Sequence, residues 1–426
     1  MAMTSTDKSR AAARIISRCR QLAASTEVPG EITRTFLSPP MHRVHALLTE
    51  WMQAAAMTVR IDAAGNLRGL LPGPTPHAPR LIIGSHLDTV PNAGAFDGIL
   101  GVVLGIAAVE ELRGQQLPFA IEVIGFSEEE GVRFSKPFIG SLALIGKLDA
   151  ELLALADRNG VTVAEAIRIF GLNPAEMHNA ALATGSFAYL EFHIEQGPLL
   201  ESEGLSLGIV DAIAGQTRMT FIFEGHANHA GTTPMHLRRD ALAAAAQWIA
   251  AVEDYATTHD GLVATVGRIE ALPGAGNVVA GRVTASLDAR HASDQTRTAA
   301  VNALTAAAKI AAAKRGVELT TSTQLEQAAV PMSAHLARLL ESAAKNASCP
   351  SRRMTSGAGH DAMIVAQRLP CAMLFVRSPG GLSHHPGESV IPEDIESALA
   401  TAMEFLTLLR DDKTIPKDDS EQRGLA

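Results

Sequence analysis

Patterns typical of helices and strands alternate along the first third of this chain. Residues 8–23 and 41–56 are predicted to form amphipathic helices, and residues 98–114 a third helix. Apolar runs at residues 80–85 and 120–126 have the length and composition of buried strands. This alternation favours the α/β class, with a mixed, largely parallel sheet flanked by helices. In such sheets the ligand crevice lies at the carboxyl ends of the strands.

Potential metal ligands lie at the ends of these and later strand-like runs. The stretches that carry them are LIIGSHLDTV, AFDGILG, FSEEEGVRF, LEFHIEQG and GGLSHHPGE. Imidazoles and carboxylates at such positions are what a hydrolytic site with one or two divalent metal ions needs. Because they follow strand ends, these side chains can converge on one crevice. The sequence therefore predicts a metal-dependent enzyme with the candidate ligands His86, Asp88, Asp97, Glu128, Glu129, Glu130, His193, His384 and His385.

The segment from about residue 215 to residue 325 has a different order of elements. Its strand-like and helix-like stretches follow the order β-α-β-β-α-β, which is typical of a small ferredoxin-like sandwich. Helix and strand patterns resume afterwards at residues 332–347 and 371–376, and the charged C-terminal tail is predicted to be frayed. The segment is thus predicted to be inserted into a discontinuous domain. The predicted boundaries are residues 1–214 and 327–426 for the catalytic domain and residues 215–326 for the insert.

Length and charge limit the class of protein. A chain of 426 residues exceeds what one compact core usually holds, so two domains are expected. The net charge of −9 argues against the basic surface that nucleic-acid binding requires. No apolar run approaches the ~20 residues of a membrane span. The N-terminal stretch lacks the continuous apolar core of a secretory signal. Three scattered cysteines fit a reducing compartment, so a cytoplasmic enzyme is expected.

The motifs taken together resemble a known family. HLDTV, the aspartate eleven residues after His86, EEGVRF, HIEQGP, HAGTTPM, SGAGHDA and GGLSHHPGE are similar to those of the hydantoinase/carbamoylase family of dinuclear metal amidohydrolases. The likeness extends in the same order from about residue 35 to residue 410. HIEQGP and SGAGHD are typical of the carbamoylase branch, whereas HLDTV occurs in the wider superfamily of aminoacylases and metallopeptidases. RTFLSP, IAGQTR, GAGHDAM and MLFVR most resemble the allantoate amidohydrolases.

The resemblance implies a role for each metal-binding residue. Asp97 would bridge two divalent metal ions, with His86 and His193 on opposite sides and Glu130 and His384 completing the two coordination spheres. Asp88 lies two residues after His86 on an extended segment, so its carboxylate can accept a hydrogen bond from the imidazole. The ligand set suits zinc or manganese, and cobalt or nickel are also possible.

Two neighbouring-residue alternatives bear on these assignments. Glu129 would be the general base and acid, but a register shifted by one residue would make Glu128 the base and Glu129 the ligand. The spacing of EEG and the following RF favours Glu129 and Glu130. The family pattern SHxPxE favours His384 as the ligand, with His385 at the variable position.

Further residues match the family's substrate contacts. Arg290 resembles its carboxylate clamp, and a guanidinium suits bidentate recognition of a carboxylate. Asn277 and His229 match lid positions that contact the substrate or polarise its carbonyl, and Ala280 replaces a usual proline near Asn277. The resemblance also implies a homodimer formed through the inserted lid domain. The remaining implied substrate-binding residues are Gln196, which would recognise the ureido group, and Gly357 and Gly359, which would present backbone N–H groups.

The reaction implied is metal-assisted hydrolysis of a ureido C–N bond in a small ureido acid, with release of ammonia and carbon dioxide. Allantoate amidohydrolase is the leading hypothesis. The alternative with the same mechanism is an N-carbamoyl-L-amino-acid hydrolase or a β-ureidopropionase. A non-catalytic binding protein would be expected to lack ligands or the base, and none is missing. HIEQGP and SGAGHD argue against a general dipeptidase or aminoacylase.

Overall fold

The computed structural model describes residues 5–416, so the last ten residues of the predicted frayed tail lie outside the described part. The strands are β1 (Thr58–Ile61), β2 (Leu67–Leu71), β3 (Arg80–His86), β4 (Ala120–Phe126), β5 (Ser186–Ile194), β6 (Leu207–Ile213), β7 (Gly215–Glu224), β8 (Asn228–His229), β9 (Val263–Thr265), β10 (Ile269–Leu272), β11 (Val278–Val279), β12 (Arg282–His291), β13 (Glu318–Gln327), β14 (Val330–Pro331), β15 (Ser351–Ser356) and β16 (Cys371–Val376).

The helices confirm the predicted alternation with strands along the first third of the chain. Short 3-10 turns occur at Pro174–Ala180, Met235–Leu237 and Pro379–Gly381. The α-helices are α1 (Ser5–Ala23), α2 (Pro39–Ala54), α3 (Ile99–Glu111), α4 (Ile139–Leu144), α5 (Ala150–Ala154), α6 (Val163–Ile169), α7 (Leu199–Ser202), α8 (Ala241–Thr257), α9 (Asp294–Ala313), α10 (Ala334–Asn346), α11 (Asp361–Val365) and α12 (Pro392–Arg410).

The described residues divide into two compact units. The larger unit comprises the chain up to residue 211, residues 332–354 and the chain from residue 359 onward. The smaller unit comprises residues 212–331 and the short stretch 355–358. The predicted insert, residues 215–326, is shorter than this unit at both ends and does not include the stretch 355–358.

The sheet of the larger unit has the neighbour order β1-β2-β4-β3-β5-β16-β6. Its four central strands, β4, β3, β5 and β16, run parallel, whereas the pairs β1–β2, β2–β4 and β16–β6 are antiparallel. The predicted α/β class with parallel central strands is therefore confirmed. The register places the ends of the parallel strands at one edge, since His86 pairs with Phe126 and Phe375 with His193.

Helix α3 packs closely against the central strands. Residues Ile99 to Val109 are all buried, which explains why the helix is apolar on every side. A Cβ atom at Gly101 would lie 2.1 Å from the carbonyl oxygen of Phe192 on β5, so only glycine permits this approach. The close packing holds the start of α3, and the residues that precede it, at the carboxyl edge of the sheet.

The smaller unit has an antiparallel sheet of order β10-β12-β7-β13, with β9 beside β12. Strand β7 alternates between buried residues such as Phe221 and Phe223 and more exposed residues such as Arg218. Its buried face packs with α8 and α9, where Trp248 is fully buried and its indole N–H donates to the Leu304 carbonyl at 3.0 Å. This unit therefore has a core of its own.

Among residues 5–416 we find no helix whose length and apolar content would let it cross a membrane.

A buried ion pair network in the larger unit leads to a stability prediction. Glu122 on β4, 2% exposed, accepts from Arg68 Nε at 2.8 Å and from Arg80 Nη1 at 2.7 Å. Glu122→Ala leaves both guanidinium groups without this carboxylate and should cost about 3–5 kcal/mol of unfolding free energy. Calorimetric unfolding measures this loss. Asp411→Ala, at the exposed pair with Arg410, is the control and should leave the melting temperature nearly unchanged. Equal small effects of both variants would contradict the prediction.

Candidate metal centre

Two histidines and one aspartate meet at the carboxyl edge of the larger sheet. His86 is the last residue of β3, His193 lies near the end of β5, and Asp97 lies just before α3. The Nε2 atoms of His86 and His193 are 3.4 Å apart, and His193 Nε2 is 3.3 Å from Asp97 Oδ1. All three side chains are buried. The strand ends thus bring together three residues that the sequence analysis assigned to metal binding.

The orientation of the two imidazoles suits metal coordination. His86 Nδ1 is 3.0 Å from the Asp88 carbonyl oxygen, and His193 Nδ1 is 3.0 Å from the Ile194 carbonyl oxygen. Because a carbonyl oxygen only accepts hydrogen bonds, each Nδ1 carries a proton, which leaves each Nε2 as the atom that can bind a metal ion. The two Nε2 atoms face each other at 3.4 Å, so a proton or a metal ion must lie between them. The ring geometry is therefore that of metal-ligating histidines.

The second half of the centre is formed around the other oxygen of Asp97. His384 Nε2 is 3.2 Å from Asp97 Oδ2 and 3.6 Å from Glu130 Oε1. Beyond these contacts with the His384 ring, neither carboxylate oxygen receives a hydrogen bond from residues 5–416. Buried carboxylate oxygens without donors are stable only beside a cation or in the protonated form. Asp97 therefore faces ligand groups with both oxygens, as a bridging carboxylate requires.

Asp88 organises the glutamate loop. Its Oδ1 accepts the backbone N–H of Glu129 at 3.0 Å, and its Oδ2 accepts the backbone N–H of Glu130 at 3.1 Å. The carboxylate is 3.4 Å from His86 Nδ1, farther than the Asp88 carbonyl oxygen, which is 3.0 Å away. The sequence predicted only a hydrogen bond between this carboxylate and the His86 imidazole. In the structure it also joins the ends of β3 and β4 by holding the loop that carries both glutamates.

Burial shifts the pKa values of the titratable groups in the centre. Burial, together with the charges of Glu130 and Asp361, raises the pKa of Glu129 well above its usual range, and nearby His86 opposes this. Burial and the charge of Asp97 raise the pKa of Glu130 to about 7. Burial lowers the pKa of His193 to about 4, so its imidazole is neutral near pH 7. Crowded carboxylates beside the neutral imidazole of His193 fit a centre that binds cations.

The structure separates the neighbouring residues that the sequence analysis left as alternatives. The side chains of Glu129 and Glu130 lie within ligand distance of His86, whereas Glu128 is not in that group. His384 faces Asp97 and Glu130. The Nδ1 atom of His385 instead accepts the backbone N–H of Gly387.

Gln196 follows β5 and lies against the centre. Its Nε2 donates to Asp97 Oδ1 at 3.0 Å and to Ser383 Oγ at 3.1 Å. Since a carboxylate only accepts hydrogen bonds, the amide nitrogen must face Asp97. The Oε1 atom of Gln196 is then directed elsewhere, is buried and receives no hydrogen bond from the described residues. It is available to accept from a ligand N–H group.

Glu388, the last residue of the motif GGLSHHPGE, has a function that was not predicted from the sequence. Glu388 Oε1 accepts the backbone N–H groups of Phe96 and Asp97 at 2.9 and 3.1 Å. Glu388 follows His384 closely in the chain, so one short loop both supplies a ligand group and holds the backbone of Asp97. The glutamate at the end of SHxPxE was the available signal.

The remaining residues predicted to bind the substrate are not adjacent in sequence to the candidate metal ligands. His229, Asn277, Arg290 and Gly357 belong to the smaller unit, and Gly359 to the larger. His229 Nδ1 accepts the backbone N–H of Gly231, and the Asn277 carbonyl accepts from Ala230. A Cβ atom at Gly359 would lie 3.1 Å from the ring of Phe138. The substrate roles of these residues stay predictions.

This fold and its candidate metal-ligand groups are those expected of a metal-dependent hydrolase, and comparison with known proteins identifies the family. The chain belongs to the peptidase family M20/M25/M40, whose model matches residues 82–408. It is 40% identical to an N-carbamoyl-L-amino acid amidohydrolase of Geobacillus stearothermophilus, over 89% of this chain and 94% of that protein. It is 36% identical to allantoate deiminase 2 of Glycine max, over 92% of this chain and 88% of that protein.

Solved structures agree with this assignment. A hydantoinase/carbamoylase family amidase from Burkholderia multivorans has a TM-score of 0.87 and 32% identity, covering 94% of this chain and 97% of that chain. AtUAH in complex with glyoxylate has a TM-score of 0.73 and 31% identity, covering 94% and 98% respectively. The predicted membership of the hydantoinase/carbamoylase amidohydrolases is confirmed, and the protein is an amidohydrolase.

The two adjacent histidines provide a matched test of the centre. His384→Ala removes a group that faces both Asp97 and Glu130 and should weaken metal binding by about tenfold or more. His385→Ala removes a ring that bonds only its own loop among the described contacts and should leave metal binding unchanged. Metal content after dialysis at fixed free metal concentrations measures both. Loss of metal from His385→Ala alone would reverse the assignment.

Proposed function

We propose that this amidohydrolase cleaves the ureido C–N bond of a small ureido acid, with allantoate as the first candidate substrate. The observation that carries the proposal is the amide of Gln196. Its Nε2 is held by Asp97 and Ser383, and its Oε1 is a buried acceptor beside the metal centre. A terminal ureido group presents N–H donors to such an acceptor, whereas a carboxylate or ester does not.

We further propose two divalent metal ions, zinc or manganese, with cobalt or nickel as chemically suitable substitutes. Asp97 would be shared between them. His86 and His193 would hold one ion together with Asp97, rather than lying on opposite sides of the centre, and Glu130 and His384 would hold the other ion together with Asp97. When bound, the ions would lower the pKa of the attacking water and polarise the ureido carbonyl.

Glu129 would carry the proton in this reaction. Burial raises the pKa of its carboxyl group, which suits a base that works near neutral pH and then acts as an acid. It would take a proton from the attacking water and pass one to the departing nitrogen. Ammonia leaves, and the carbamate that remains loses carbon dioxide. Asp88 would keep Glu129 in place through the backbone N–H that it accepts.

The substrate carboxylate would be held by Arg290, whose guanidinium suits bidentate binding. His229 would polarise the carbonyl and Asn277 would contact the substrate, while Gly357 and Gly359 would present backbone N–H groups. The similar structures of AtUAH contain glyoxylate or (S)-hydroxyglycine, which are small carboxylic acids. This supports a family site that accommodates such groups.

An N-carbamoyl-L-amino acid is the second candidate substrate. The relative from Geobacillus stearothermophilus, named for this activity, is 40% identical to the chain over the aligned residues, and allantoate deiminase 2 of Glycine max is 36% identical. Both substrates contain a ureido group and a carboxylate. β-Ureidopropionase activity differs only in the spacing between these two groups.

Ammonia release by metal-reconstituted protein tests the proposal. Allantoate, N-carbamoyl-L-amino acids and N-carbamoyl-β-alanine are assayed side by side, with chelator-treated protein as the blank. Preferred turnover of allantoate supports the first candidate. Turnover of carbamoyl amino acids with inert allantoate assigns the second. Inactivity on all of them with metal bound would overturn the ureido proposal.

Glu129→Gln tests the proposed base. The substitution keeps the size of the side chain but removes the proton acceptor, so kcat should fall by about two to four orders of magnitude. Metal content and thermal stability should remain close to those of the unmodified protein. Glu128→Gln is the matched neighbour and should retain most of the activity. The opposite pattern, with Glu128→Gln inactive and Glu129→Gln active, would transfer the role to Glu128.

We also propose that the smaller unit is a ferredoxin-like lid and the contact surface of a cytoplasmic homodimer. Its order of elements, β7-α8-β10-β12-α9-β13 with β9 beside β12, supports the first part. Strand β10 lies at the end of the sheet order and exposes Ile269 and Leu272, which supports a contact between copies.

Sedimentation analysis of the full chain tests the proposed dimer and should give twice the monomer mass. Ile269→Lys should shift the measured mass toward that of the monomer. A monomer at every concentration would contradict the dimer.

A further inference from the structure

Four polar side chains lie on one face of the smaller sheet. Strands β7 and β12 are antiparallel, and their register sets Arg290 opposite Gln216 and Asp288 opposite Arg218. Residues two apart on a strand project to the same face, so all four side chains share it. The intervening residues, such as Ala289, are buried on the other face. The sheet therefore places two arginines, one glutamine and one aspartate side by side.

Asp288 is the acceptor at the middle of this group. Its Oδ2 accepts from Gln216 Nε2 at 2.7 Å, from Arg218 Nε at 3.0 Å and from Arg290 Nη2 at 2.9 Å. Its Oδ1 accepts from Arg290 Nε at 2.9 Å. Partial burial raises the pKa of Asp288, but the hydrogen bonds from Arg290 and Arg218 outweigh it and hold the pKa below its usual value. The carboxylate is thus ionised at neutral pH.

The contacts of Arg290 leave part of its guanidinium group available. Asp288 occupies the edge formed by Nε and Nη2, and Nη1 donates to the Gly357 carbonyl at 2.6 Å. A guanidinium group has five N–H donors. One N–H on Nη1 and one on Nη2 therefore remain, and neighbouring N–H groups of this kind bind a carboxylate in a bidentate manner. Asp288 and Gly357 together restrict how this pair is directed.

The charge of the group remains positive. Asp288 contributes one negative charge, and Arg218 and Arg290 contribute one positive charge each. An aspartate beside a lone arginine would cancel the attraction for an anion, but here the second arginine compensates it. The arrangement can therefore orient Arg290 without removing its attraction for a carboxylate.

We propose that Asp288 is a positioning residue that holds Arg290 in the orientation needed to bind the substrate carboxylate, and so makes the enzyme selective for carboxylate-bearing ureides. This inference rests on the proposed function. Asp288 acts through Arg290 and does not itself contact the substrate. The clamp then consists of Arg290 together with its supports Asp288 and Gly357, both in the smaller unit.

Asp288→Asn tests the inference because the amide keeps the size of the side chain but turns an N–H donor toward the arginines. For the better ureido acid of the assay above, KM should rise by about tenfold while kcat stays within about twofold. For the carboxamide analogue of the same substrate, KM should not change. A merely structural role of Asp288 would impair both substrates equally, and that result would overturn the inference. Asp288→Glu, which keeps the charge, should recover part of the affinity.

A double-mutant cycle makes the test sharper. Arg290→Gln alone should raise KM for the ureido acid, and adding Asp288→Asn should have no further effect if Asp288 acts only through Arg290. Additive effects would overturn the inference. Glu224→Gln is the control, since Glu224 on β7 also pairs with an arginine of this sheet, Arg282 on β12, at 3.3 Å. Its kinetics should match those of the unmodified protein.

The outcomes also separate this inference from the proposed function. Unmodified protein that binds metal but cleaves no ureido acid overturns the proposed function, and the inference fails with it. Active unmodified protein, with folded Asp288→Asn showing an unchanged KM, overturns the inference alone. If Asp288→Asn fails to fold by circular dichroism, Asp288→Ser, which also removes the carboxylate, takes its place: an unchanged KM for the ureido acid in a folded Asp288→Ser protein overturns the inference.

Discussion

The position of one buried carboxylate, that of Asp97, governs the arrangement of the whole centre. One of its oxygens faces His193 and the other faces His384, while the residue is only 1% exposed. Burial raises the pKa of Asp97, but the hydrogen bond from His384 and the charge of His86 outweigh it and keep the pKa low. An ionised group at this depth requires partners on every side. The loops around Asp97 are built to supply them, and Glu388 accepts its backbone N–H.

The sheet and α3 make this arrangement possible. Parallel strands end at one edge, so imidazoles more than a hundred residues apart in the chain meet there. Glycines allow the close packing: Gly98 has a φ of 65°, and a Cβ atom there would lie 2.5 Å from the ring of His86. A side chain at this position would push the imidazole out of the centre. The chemistry at Asp97 therefore depends on close backbone packing as much as on the ligands.

Much of the site was predictable because its residues stand in motifs at strand ends. His86 and His193 were predicted from such motifs, and the structure brings them together. Glu388 was not predicted, because its function is to accept two backbone N–H groups from a loop far away in sequence. Asp88 was linked only to the adjacent imidazole, since local spacing cannot show that its carboxylate also holds the loop after β4. Contacts within a motif are visible in the sequence, whereas contacts between motifs require the fold.

The sequence by itself determined the class of fold, the order of the elements and the types of ligand, because apolar periodicity and residue chemistry are local properties. Only the tertiary structure decided that Glu129 and Glu130, rather than Glu128, approach His86, and that His384 rather than His385 faces Asp97. It also decided that Asp288 lies opposite Arg218 and beside Arg290. Adjacent residues of the same type differ only in the direction of their side chains. Strand register and packing set that direction, and both depend on residues distant in the chain.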